Sequence, residues 1–220
     1  MAQCSYCNNK GFFLTVSNDG LCKICAPSVS MVVNQLVRII KESNDLVEST
    51  KNFKTKIGRL DIIETHLQTL DKDYYSKGIK VLSTPPQEIL HEVRAKRVEA
   101  IEEEALLQTQ KSMDKAHLAK TATTKINNAN KALLTLKQFQ DEYEYTSKEL
   151  SVSIIKYIHQ TEYEDLLIKA EKEEFKGNKK KAIDRYQDVL FFLMKDDIDD
   201  DIQAVEIMAL ENKIEELSKE

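Results

Sequence analysis

Apolar residues along most of this chain recur every three or four positions, the period of a helix with one buried face. Val29, Val32, Val33, Leu36, Val37, Ile40 and Val47 form one such series, and Phe53, Ile57, Leu60, Leu67, Leu70 and Tyr74 form a second. Between them Ser49-Thr50-Lys51-Asn52 brings in side chains that favour caps and turns. The pattern therefore predicts an antiparallel helical hairpin over residues 29–78, closing near Gly78.

After a connector from Ile79 to Thr84, Thr84-Pro85-Pro86-Gln87 predicts a helix start. Thr84 is placed to cap, Pro85 suits the first turn, and Gln87 completes a capping box. Ile101, Ala105, Met113, Ala116, Ile126, Ala129, Leu133, Leu136 and Tyr143 then give a narrow, heptad-like stripe. Residues 84–145 read as an arm, either one long coiled-coil-like helix or two helices hinged at Thr121-Ala122-Thr123-Thr124, where β-branched side chains favour a bend. The long helix, projecting to form a homodimer, is the preferred reading. Glycine and proline support a mostly α fold, because neither occurs from Gln87 to Lys176.

In the last third, residues 146–220, the small residues carry the information. Ala170, Gly177, Ala182 and Tyr186 stand at the intervals of the tetratricopeptide repeat, and Leu166 and Leu190 add apolar contacts. The segment resembles that repeat, which implies paired helices in close approach with a glycine turn between them. Lys169 and Glu173 depart from the pattern, standing where the repeat has bulky apolar groups. A third helix with Ile202, Val205, Ile207, Leu210, Ile214 and Leu217 would cover the pair, a layout that also resembles the microtubule-interacting and transport domain. Both families are binding modules, so the resemblance implies a protein partner.

The N-terminus departs from all of this. The chain's four cysteines fall in two pairs, Cys4-x-x-Cys7 and Cys22-x-x-Cys25, with fourteen residues between them. Each pair can turn both sulfurs to one point, and the loop can close four thiolates into the tetrahedron that zinc prefers. Cys4, Cys7, Cys22 and Cys25 are therefore the candidate metal ligands and Zn2+ the expected cofactor. Two disulfides would need an oxidising compartment, and no secretory apolar stretch follows Met1. A redox pair of the thioredoxin kind would stand near a βαβ unit. An iron–sulfur cluster uses the same four thiolates, and the spacing does not exclude it.

Phe12-Phe13-Leu14-Thr15-Val16 reads as a strand and Ser17-Asn18-Asp19-Gly20 as a hairpin turn, followed by a helix with Pro27 in its first turn. Residues 1–28 read as the zinc-binding module, and knuckle, hairpin and helix together resemble a treble-clef finger over about residues 1–40. Gly20-Leu21-Cys22-Lys23-Ile24-Cys25 looks like the second knuckle of GATA-type fingers. That likeness implies nucleic acid, which the charges disfavour. Lys10 and Lys23 are the only cationic side chains up to Cys25, and the formal charge of a tetrathiolate zinc cancels both. The whole chain carries a net charge of −5, with both signs interspersed over 31% of its residues, as on solvated helix faces.

Other features read blandly. Asp196, Asp197, Asp199, Asp200 and Asp201 lack the glycine and distal glutamate of a calcium loop and suit the start of the last helix. Lys179, Lys180 and Lys181 suit a solvated turn. His66, His91, His117 and His159 stand singly, without a nucleophile or a metal-binding partner. No phosphate loop or nucleophile elbow occurs, and no apolar run reaches membrane-spanning length. The expectation is a cytoplasmic, non-enzymatic zinc-containing adaptor or scaffold acting through protein–protein contacts. A dimeric nucleic-acid-associated regulator using the finger is the alternative, and a protein that wraps and inhibits a larger enzyme is a third reading.

Overall fold

The computed structural model describes residues 2–79, 82–195 and 203–219. The fold is mostly α, with a two-stranded antiparallel hairpin at the N-terminus. Strand β1 (Ala2–Gln3) pairs with β2 (Lys10–Gly11), and the helices are α1 (Cys25–Ser49), α2 (Phe53–Asp73), α3 (Pro86–Leu118), α4 (Ala122–Tyr143), α5 (Lys148–Phe175), α6 (Lys179–Lys195) and α7 (Ala204–Lys219). The chain divides into two compact units, Met1–Glu104 and Ala105–Glu220, with the division inside α3.

In the first unit, α1 and α2 form the expected hairpin. Asn52 caps α2 by accepting from the Thr55 amide at 2.9 Å, so the polar break read from the sequence is a functioning helix start. Val29 and Val33 near the start of α1 share a core with Leu70 near the end of α2, which makes the two helices antiparallel. The α2 seam is buried at Ile57, Leu60, Ile63, Leu67 and Leu70. Val32, placed on the buried face by its spacing, is instead exposed. The first part of α3 runs antiparallel to α2, because Gln87 meets Asp71, Arg94 meets Glu64 and Arg97 meets Asp61. The two ion pairs among these contacts are partly exposed and set register more than stability. Pro86, Leu90, Val93, Ala100 and Ile101 are buried along this part of α3.

The start of α3 differs from the expected capping box. The helix begins at Pro86, the carbonyl of Pro85 accepts from the Glu88 amide at 3.1 Å, and the Gln87 side chain is drawn to Asp71 instead of back to Thr84. Pro86 is fully buried, which accounts for the shift: packing selects the second proline as the first helical residue.

The arm is two helices. Thr121 takes an extended conformation and its hydroxyl oxygen accepts from the Thr124 amide at 3.3 Å, so the β-branched break starts α4 afresh. In the second unit, Ala116, Ala129, Ala132 and Leu136 pack against Ile154 of α5. Most of the narrow stripe read there as a dimer seam is thus covered within the chain. Ser147 caps α5, and Gly177, at φ 76°, makes the left-handed turn into α6. Ala170, Ala182, Tyr186, Val189, Leu193, Leu210 and Leu217 bury a second core shared by α5, α6 and α7. Val205, expected to cover the pair, is exposed.

Lys179, Lys180 and Lys181 are exposed on the first turn of α6. His117 meets the edge of the Tyr157 ring and His159 stacks on Phe192, so both histidines have packing roles. The aspartates between Asp196 and Asp201, and Ile202, lie outside the described residues. Among the described residues, no helix is long and apolar enough to cross a membrane.

Candidate metal centre

The first knuckle is a tight turn built from backbone bonds. The Asn8 amide donates to the Cys4 carbonyl at 2.9 Å, the Cys4 amide donates to Asn9 at 3.0 Å, and Asn8 takes φ 59°. This turn projects both Cys4 and Cys7 from the loop that joins β1 to β2. The second knuckle follows the turn Ser17–Gly20, which is closed by Gly20 donating to Ser17 at 2.9 Å and Ser17 donating to Leu21 at 2.8 Å. An isolated bridge between Val16 and Cys22 is all that remains of the strand expected over Phe12–Val16. Phe12 and Phe13 instead form a turn and point into solvent, at 82% and 101% exposure. Five consecutive apolar or β-branched residues suggested a strand, but these residues have no sheet neighbour to pair with.

Cys25 is the first residue of α1, and the Ala26 amide donates to the Cys22 carbonyl at 2.9 Å, so the second knuckle winds directly into the helix. Pro27 sits in that first turn, where the amide it lacks would have had no partner.

The two knuckles meet. The sulfurs of Cys4, Cys7, Cys22 and Cys25 lie within 4.8 Å of one another, and among the described residues they are the one group of side chains able to hold a metal ion. A tetrahedral ion with bonds of about 2.3 Å to sulfur would set its ligands about 3.8 Å apart. Cys7 Sγ and Cys22 Sγ are 4.0 Å apart, close to that value and about twice the length of a disulfide bond. All four cysteines are free. Cys4 and Cys22 are buried, Cys25 is half-buried and Cys7 is exposed.

The local field favours the thiolate at Cys4 and Cys22. Backbone amides, chiefly that of Cys7 and then those of Cys22 and Tyr6, lower the Cys4 thiol to about 6. The Cys22 amide reaches Cys4 Sγ at 3.4 Å. The backbone of Cys25 likewise lowers Cys22. Cys25 is pushed up to about 12, first by its hydrogen bond to the Cys22 sulfur and then by burial. Crowded sulfurs cannot all ionise together unless a cation offsets them. The donor set and its amides thus fit a metal ion, which would deprotonate every ligand.

The knuckles are not a separate bead on the chain. Cys4, Leu21 and Cys22 are buried in one cluster with Val29 and Val33 of α1, Leu70 and Tyr74 of α2, and Ile79. Tyr6, between the first two cysteines, stacks on Tyr74. No sequence signal announces these partners, because nothing in local spacing pairs a knuckle residue with a helix end far along the chain. The four predicted ligands are brought together, while the neighbours that fix them were not foreseen. Comparison with protein-family models, with curated proteins and with solved structures gives no match.

Proposed function

We propose that this chain is a non-enzymatic adaptor or scaffold whose N-terminal module is closed by zinc. In this reading Cys4, Cys7, Cys22 and Cys25 form a structural tetrathiolate site in a treble-clef-like arrangement, with all four positions taken by protein. The convergence of four sulfurs at a spacing suited to a single ion carries the reading. An iron–sulfur cluster would spread its cysteines over several irons, so the close approach favours one ion.

The second half of the reading concerns residues 146–220, which would act as a tetratricopeptide-like bundle for a partner helix or peptide. Support comes from Ala170 and Ala182, buried where α5 and α6 approach, and from the left-handed turn at Gly177.

The test is affinity purification of the tagged full chain from its native cell, with and without nuclease. A protein that co-purifies stoichiometrically, survives nuclease and is lost when α5–α7 surface residues are changed supports the adaptor. Partners lost on digestion, together with duplex binding that falls steeply with salt, would replace it with the nucleic-acid regulator.

A further inference from the structure

Tyr6 joins the metal knuckle to a helix end. Its ring lies 7° from parallel to that of Tyr74, with centroids 6.1 Å apart, and the Lys77 ammonium sits 5.4 Å from the centre of the Tyr6 ring. Tyr74 terminates α2, and its carbonyl accepts from the amides of Lys77 at 3.0 Å and Ile79 at 3.2 Å. The Gly78 amide donates to the Tyr75 carbonyl at 2.9 Å, and Gly78 takes φ 78°. These bonds close a compact turn whose last residue, Ile79, is buried against Cys4, Leu21, Cys22, Val29, Val33 and Leu70.

The lid over that cluster has turns but little regular strand structure of its own. Among the described residues before α1, regular pairing amounts to two strands of two residues each and one isolated bridge. So few ladder bonds do not hold a segment closed in water. What holds Cys4 beside Cys22 therefore also covers Leu70, Tyr74 and Ile79. Beside the burial of Cys4 and Cys22 in that cluster, the stack is a second mechanical link, because Tyr6 stands between two ligands and Tyr74 begins the turn.

We infer that occupancy of the four-cysteine centre governs the end of the α1–α2 hairpin, holding the Tyr74–Ile79 turn closed through the Tyr6–Tyr74 stack and releasing it when the metal leaves. The inference rests on the metal-binding reading above and extends it from a structural staple to a conformational control. Linkage makes the coupling reciprocal: a chain that cannot form the stack binds the ion more weakly, by the factor through which the ion protects the turn. Lys77 contributes by placing its cation against the same ring.

Hydrogen exchange on the full chain, loaded with Zn2+ and then stripped with a chelator, tests this, with bound metal counted separately. The amides of Lys77, Gly78 and Ile79 should exchange at least tenfold more slowly in the loaded protein, while α5 and α6 amides stay unchanged. Tyr6→Phe should keep the effect. Tyr6→Ala should still take up the ion, more weakly, and lose most of the protection at 77–79. Metal bound with no change at 77–79 would overturn the inference and leave the metal site standing. Full protection in Tyr6→Ala would overturn the role of the stack. Failure of the wild-type chain to take up any ion would overturn both the site and the control built on it.

Discussion

The Tyr186 hydroxyl donates to one carboxylate oxygen of Glu174 across 2.6 Å, and Lys213 reaches the other oxygen at 2.6 Å. A single carboxylate thereby ties α5 to both α6 and α7. Lys213, and after it the Tyr186 hydroxyl, hold Glu174 below the usual carboxylate range. Burial, and after it the bond to Glu174, pushes the Tyr186 hydroxyl up.

The signs of these shifts set a pH window. Glu174, lowered in the folded chain, adds stability above the ordinary carboxylate value of about 4.3, and that stability is lost as pH falls through its lowered value. Tyr186, raised in the folded chain, adds stability below about pH 10, lost as pH rises through its raised value. Tyr186→Phe should reduce the alkaline loss, to which the raised Tyr74 and Tyr163 hydroxyls also contribute, reduce the acid loss and cost about 1–2 kcal/mol near neutrality. Urea unfolding of the full chain across pH, followed by far-ultraviolet circular dichroism, checks this. A neutral-pH midpoint equal to that of wild type would contradict it.

Two glycines separate strain from space. Gly20 takes φ 74°, its carbonyl accepts from the Ser5 amide at 2.8 Å, and a Cβ there would lie 2.5 Å from Ser5 Oγ. Gly20→Ala should weaken zinc binding at least tenfold, about 1.4 kcal/mol, by disturbing both knuckles. Gly58 is exposed within α2, and a Cβ there meets nothing within 4 Å. Gly58→Ala should stabilise the chain by about 0.5–1 kcal/mol without changing metal affinity. Competition with a calibrated chelator distinguishes the two; equal affinities in both variants would refute the strain argument.

Leu70 is fully buried in the cluster that contains Cys4 and Cys22, although α2 carries no metal ligand. Leu70→Ala should cost about 2–5 kcal/mol and also weaken metal binding. Leu193→Ala opens the α5–α7 core and should destabilise comparably while leaving metal affinity untouched. Equal metal affinity in the two variants would show that the knuckles fold independently of the hairpin.

Features of the fold that depend on local chemistry were legible in the chain. Paired cysteines, the polar break at Ser49–Asn52 and the turn at Gly177 each act within a few residues, where spacing is informative. Thr121 was identifiable as a weak point, but whether the arm breaks there depends on how Ala116 and Ala129 pack with Ile154. Phe12 and Phe13 misled because β-propensity describes a pleated surface with neighbours, and the turn they occupy has none. Residues 1–28 and 29–78 share a core through Leu21, Leu70 and Tyr74, with Tyr6 stacked on Tyr74, a relation that only tertiary packing creates.

The four-cysteine zinc site is decided by the metal content of the purified full chain, measured by native mass spectrometry and elemental analysis beside Cys22→Ala. Zinc bound to a structural site of this kind supplies about 10–16 kcal/mol in isolated peptides, enough to survive purification. One zinc per wild-type chain is expected, none in Cys22→Ala, and most of the helical signal retained in both. A wild-type chain without metal after zinc reconstitution, or a Cys22→Ala chain that keeps its zinc, would contradict it.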